Sequence, residues 1–146
     1  MATHTTFTPQ VLGETEKALN AILYRELDAV GLTEHQWITL RLTMAAGGDI
    51  AREQLVGRLA GALKVGAGDA EARVEELMAA GLLRSSDERG QVAVTETGTR
   101  LHTGIRGAVD EVSRRLWGDL PADDLETTGR TLMTILERAN LHFGDA

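Results

Sequence analysis

The chain has 146 residues, 42% hydrophobic and only 3% aromatic, with a formal net charge of −7 and no cysteine. That length suits one domain, or one small domain with helical extensions, and its core must be packed mainly from aliphatic side chains. Disulfides, thiolate catalysis and thiol redox sensing are excluded; no apolar run approaches the roughly 20 residues of a membrane helix, and the polar opening has no signal-peptide core, so a cytoplasmic protein is expected.

Residues up to about Pro9 read as a loose tail. From Val11 to Val30, Leu12, Leu19, Ile22, Leu23, Leu27 and Val30 recur at helical spacing, and Gly31 ends the helix. Thr33 and Gln36 form a capping box for a second helix, about Glu34 to Ala46, in which each side chain satisfies the other's backbone N–H. Trp37, Leu40 and Met44 lie on one face of it, and Ile38, Leu42 and Ala45 on another, so it is expected to be buried between neighbours. Gly47-Gly48-Asp49 closes it, with Asp49 placed to cap the next helix.

Leu55, Leu59 and Leu63 repeat every four residues, and Val65-Gly66-Ala67-Gly68 breaks the period. Ala70, Val74, Leu77 and Met78 build a stripe on the next helix. Gly81 closes that helix at the position where glycine enters the left-handed region without a Cβ penalty. Leu82 to Ser86 reads as a strand, Asp87-Glu88-Arg89-Gly90 as a turn, and Gln91 to Thr95 as a strand with Val92 and Val94 facing inward. Two helices joined by a turn and followed by a hairpin make a winged helix-turn-helix, a shape that places a helix in the DNA major groove.

Thr95 or Thr97 caps a long helix from about Glu96 to Trp117, striped by Leu101, Ile105, Val109, Val112 and Leu116. After Gly118-Asp119-Leu120, Pro121 suits the first turn of a last helix, where Asp123 and Asp124 favour the helix dipole. Leu125, Leu132, Ile135, Leu136 and Ala139 form its apolar face. The first helix and the last two cannot all bury their stripes on a domain of roughly sixty residues, so a second copy of the chain is the expected partner.

In order and spacing, Leu32-Thr33-x-x-Gln36-Trp37, Leu59-Ala60-x-x-Leu63, Leu77-x-x-x-Gly81-Leu82-Leu83, Asp87-x-Arg89 and Val94-Thr95-Glu96-x-Gly98 resemble the multiple-antibiotic-resistance regulator (MarR) family of bacterial transcription factors. The resemblance covers nearly the whole chain. It implies a mainly α fold: a winged helix-turn-helix over residues 34–97, with a small β-hairpin wing. The helical dimerisation region would come from both termini, residues 10–33 and 98–146. It further implies a homodimer on double-stranded DNA, acting as a ligand-responsive repressor. A small aromatic anion would bind in a cleft bordered by the regions of Tyr24, His35 and Trp37. Core packing of those three residues is the competing reading.

In that scheme Gly68, Asp69, Ala72 and Arg73 lie on the DNA-facing part of the recognition helix, and Arg89 enters the minor groove. Arg84 and Lys64 are candidate phosphate contacts. Asp69 and Glu71 either favour the helix dipole or accept from a cytosine N4 donor. They also face a polyanion, which motivates an alternative: a protein-interaction module that has lost tight DNA binding. The net charge points the same way. The winged stretch itself is near neutral, with Arg52, Arg58, Lys64, Arg73, Arg84 and Arg89 against Glu53, Asp69, Glu71, Glu75, Glu76, Asp87 and Glu88.

Other chemistry finds little support. Gly66-Ala67-Gly68 follows a helix and lacks the third glycine of a nucleotide loop. His4, His35, His102 and His142 have no metal-ligand spacing. Asp123 and Asp124 point about 100° apart on a helix and do not converge as an acid–base pair. With no nucleophile–base–orienter pattern, neither an enzyme nor a cofactor is expected.

Overall fold

The computed structural model describes residues 6 to 144; the start of the N-terminal tail, including His4, lies outside them. The order of elements is α1 (Pro9–Val30), α2 (Glu34–Ala45), β1 (Asp49–Ala51), α3 (Arg52–Leu63), α4 (Ala67–Ala79), β2 (Leu83–Ser85), β3 (Gln91–Val94), α5 (Glu96–Trp117) and α6 (Ala122–Gly144). The fold is mainly α, a winged helix-turn-helix with a small antiparallel sheet. Two compact units divide the chain, Met1–Val109 and Asp110–Ala146.

In the first unit local chemistry sets the helix ends. Pro9 opens α1 rather than closing a tail: Thr8 is its N-cap, with Oγ1 accepting from Val11 N–H at 3.1 Å. α1 and α4 end alike, each on a glycine at positive φ, Gly31 at 75° and Gly81 at 77°. Beyond each glycine a leucine N–H reaches back to a carbonyl five residues earlier, Leu32 to Leu27 and Leu82 to Leu77, both near 3.0 Å. All four leucines are buried, which adds the apolar contact usual in this motif. The Thr33–Gln36 capping box forms as expected, with bonds of 3.0 and 3.2 Å.

The core of this unit gathers Leu27 of α1, Trp37 and Leu40 of α2, Leu55 and Leu59 of α3, and Val74 and Leu77 of α4. Val92 of β3 and Ile105 of α5 complete its floor. As expected, α2 is the buried helix. Its interior also holds two polar side chains, Thr39 and Thr43, both fully buried. Their hydroxyls donate to the carbonyls four residues back, His35 at 2.8 Å and Thr39 at 2.9 Å, so no hydrogen-bonding capacity is stranded there.

The sheet departs from the sequence reading. Asp49 does not cap α3. It begins a third strand, β1, paired antiparallel with β3 at Asp49↔Ala93, Ile50↔Val92 and Ala51↔Gln91. Its carboxylate accepts from the Ser86 hydroxyl at 3.0 Å. β2 pairs with the other edge of β3, Leu83↔Val94 through Ser85↔Val92. β3 is therefore central, and its burial does not alternate. Val92 and Ala93 are both buried while Val94 is only half-buried. Ala93 lies between Asp49 and Arg84 in the ladder, a methyl flanked on its own face by two longer side chains.

The second unit contains the end of α5, a turn and α6. Pro121 stands just ahead of α6, and its carbonyl accepts from Asp124 and Leu125 N–H. α6 buries none of its residues. Leu120, Met133, Leu136, Leu141 and Phe143 are each at least half exposed.

Candidate nucleic-acid interface

The helix-turn-helix is built by α3 and α4, with α2 packed against both. Leu55 and Leu59 turn one face of α3 inward; Ala70, Val74 and Leu77 do the same for α4. The turn between them runs through Lys64, an exposed non-glycine residue at φ 58°. Val65 N–H bonds to Ala60 O at 3.1 Å across it. This is the helix-ending geometry seen at Gly31 and Gly81, here held by lysine. The N-terminus of α4 has no side-chain cap, so its first-turn N–H groups are available to an anion. Gly68 and Asp69 are exposed in that first turn, and Ala72 is half-buried.

The wing is the β2–β3 hairpin. Arg84 is exposed on β2, where its guanidinium donates to Ser85 O at 3.1 Å. Arg89 is exposed in the turn, which closes through Ser86 N–H to Gln91 O at 2.9 Å and Gln91 N–H to Glu88 O at 3.2 Å. Lys64, Gly68, Asp69, Arg84 and Arg89 are thus all solvent-facing. Arg73 is not: it is half-buried and ion-paired to Glu76 at 3.1 Å, and its Nε is buried without a partner.

The sequence places Glu71 where it favours the helix dipole or faces a polyanion, and offers Arg52 only as one of the basic residues of the winged stretch. Arg52 in fact reaches from the start of α3 to α4 and pairs with both Glu71 and Glu75. Burial alone would lower its pKa; the hydrogen bonds to Glu75 and then Glu71 outweigh that, and the net shift is upward. No local spacing signals this cluster. The one available hint is that Glu71 and Glu75 stand four residues apart, on one face of a helix.

The residues expected at a ligand cleft lie in three different settings. Tyr24 is exposed and donates its phenol proton to Glu34 Oε2 at 2.6 Å; that bond and the neighbouring carboxylate charge raise its pKa. Trp37 is buried and stacked on His102, ring centroids 5.2 Å apart and planes 22° from parallel. His35 instead lines a cleft of about 200 Å³ with Leu63, Val65, Asp69 and Arg73, against the helix-turn-helix. The Trp37–His102 stack was not anticipated. Burial, then the charges of Arg106 and Arg41, push the His102 imidazole below its ordinary value. Among the described residues no group of three His, Asp or Glu side chains is placed to hold a metal, and no helix is long and apolar enough to cross a membrane.

These features define a winged helix-turn-helix with long helices flanking it on both sides in sequence. No family model matches the sequence, and no curated protein sequence matches it. Solved structures do match. A MarR-family transcriptional regulator from Silicibacter pomeroyi superposes with a TM-score of 0.75 at 22% identity, over 92% of this chain and 90% of that one. CouR from Rhodococcus jostii RHA1, solved bound to p-coumaroyl-CoA, gives 0.72 at 22% identity, over 86% and 88%. Reduced MarR from E. coli gives 0.66 at 18% identity, over 91% and 96%. The chain has the fold of the MarR-family transcriptional regulators.

Proposed function

We propose that the protein is a homodimeric, DNA-binding transcriptional regulator, a repressor released by a small ligand, rather than an enzyme. Residues 34–97 form the DNA-binding region in this reading, and residues 10–33 and 98–146 the dimerisation region. The observation that carries it is the exposed set on one helix-turn-helix and wing: Lys64 in the turn, Gly68 and Asp69 at the uncapped start of α4, Arg84 and Arg89 on the hairpin. Lysine and arginine at those places are phosphate and minor-groove contacts. The apolar side chains left exposed on α6 support a second copy as partner. CouR, bound to p-coumaroyl-CoA, supports an aromatic anion as the ligand class. The Tyr24, His35 and Trp37 regions are the place to test for it.

The interaction-module alternative drew on the acidity of α4. Glu71, Glu75 and Glu76 are all held by arginines, which weakens that argument. A mobility-shift assay on the DNA beside the protein's own gene, repeated at several salt concentrations, tests the choice. The regulator reading expects a specific complex whose salt slope corresponds to about four to eight phosphate contacts per dimer. It also expects a phenolic acid or thioester from a panel to release that complex. No complex at low salt would replace this reading with the interaction module.

A further inference from the structure

α4 carries Asp69, Glu71, Glu75 and Glu76, a run of charges that a polyanion repels. Resting on the DNA-binding reading above, we propose that Arg52 is a positioning residue for that interface, masking Glu71 and Glu75 and tying the recognition helix to the wing. Its Nε donates to Glu71, its Nη2 pairs with both carboxylates, and its Nη1 lies 3.4 Å from Met78 Sδ. Positions 71, 75 and 78 share one face of α4, so one guanidinium spans two turns of the helix. The backbone N–H of the same residue donates to Gly90 O at 2.9 Å, in the turn that presents Arg89. Arg52 thus holds helix and hairpin together at the two elements that would meet DNA.

The charge arithmetic is simple. Arg52, Glu71 and Glu75 sum to −1; with Arg52 neutralised they sum to −2, and with all three neutralised to 0. The planar fork matters as well, because it offers separate N–H groups to two carboxylates, which a lysine ammonium does less well.

Arg52→Gln, the triple variant Arg52→Gln/Glu71→Gln/Glu75→Gln and the wild type are compared on DNA flanking the gene and on a random duplex, with melting curves for each. Arg52→Gln is expected to weaken binding about tenfold or more at low salt, since like charge across an interface is strongly unfavourable. The triple variant is expected to bind at least as tightly as wild type. A merely structural role predicts no such rescue, because the triple variant lacks the same guanidinium and its pairs. A triple variant that melts like wild type yet stays as weak as Arg52→Gln overturns the masking. If Arg52→Gln does not fold, Glu75→Gln alone decides: its side chain is 62% exposed, and it must tighten random-duplex binding, unchanged affinity overturning the proposal. Failure of wild type to bind either DNA is a different pattern; it removes the regulator reading, and this proposal with it.

Discussion

A methyl group at position 98 would sit 2.4 Å from the carbonyl oxygen of Leu82. That oxygen is held in place because it accepts from Thr95 N–H at 3.0 Å, while the Thr95 hydroxyl donates to the preceding carbonyl, Gly81 O, at 2.7 Å and lies 3.2 Å from Leu82 O. The Thr95 hydroxyl also accepts from Gly98 N–H at 3.0 Å, so the cap of α5 and the close approach of the two backbones are one arrangement. Gly98→Ala is expected to destabilise the fold by about 1–3 kcal/mol, the usual range for overpacking, read by denaturant unfolding. His102 is the residue whose titration should be felt in stability. Its folded pKa is lowered from 6.5 by burial and then by Arg106 and Arg41. Between the folded and unfolded values the unfolded chain holds more protons, so stability rises with pH across that window. Its contribution is complete above the unfolded value and is lost as pH falls through the folded one. Proton-detected titration of His102 should give a midpoint below 6.5 that moves up in Arg106→Gln; a midpoint unaltered by that change would remove the arginine from the account.

At the scale of elements, what the sequence showed was what short-range chemistry decides. The Thr33–Gln36 box, the glycine after α4 and the Thr95 cap each involve residues within a few positions of one another, and each is found. β1 was missed because three residues carry no periodicity of their own. Ile50 is in a strand only because Val92 lies across from it, far along the chain. The Arg52 pairs were missed for the same reason, their carboxylates being 19 and 23 residues away. The turn and hairpin pattern accounts for the exposure of Lys64, Gly68, Asp69, Arg84 and Arg89, but not for the Arg73–Glu76 pair. The wing has its own test. Arg89→Ala should cost about 1–3 kcal/mol of DNA affinity per wing if that side chain reads the groove, with no loss of melting temperature, since it lies exposed in a turn. Equal affinity of both proteins for cognate and random DNA would show that the wing is not a reader.

At the scale of the whole molecule, the charge of −7 gives little long-range attraction to DNA, so in the proposed regulator contact would have to come from a few placed cations. Random-sequence binding is therefore expected to be feeble, with recognition resting on two half-sites about one helical turn apart. The two units each leave apolar side chains uncovered: Val11, Leu12 and Leu19 on α1, and Met133, Leu136 and Leu141 on α6. Covering them with a second copy would bury on the order of 2,000 Å² or more, the size of an obligate interface. Sedimentation at micromolar concentration should show a dimer, and a clean monomer would sink the homodimer.

The bare surface of α6 also bears on how such a molecule responds to its own abundance. In the homodimer proposed above, a 23-residue helix with no buried residue would have little of its own to hold it once separated from its partner. Folding of that segment would then be a second-order event, and the melting temperature is expected to climb with protomer concentration. Were that dimer the form that binds DNA, as proposed, occupancy of an operator below its dissociation constant would scale with the square of the amount of chain present. Halving synthesis would then lower occupancy about fourfold, a dosage sensitivity that the proposed regulator would owe to a helix rather than to any contact with DNA.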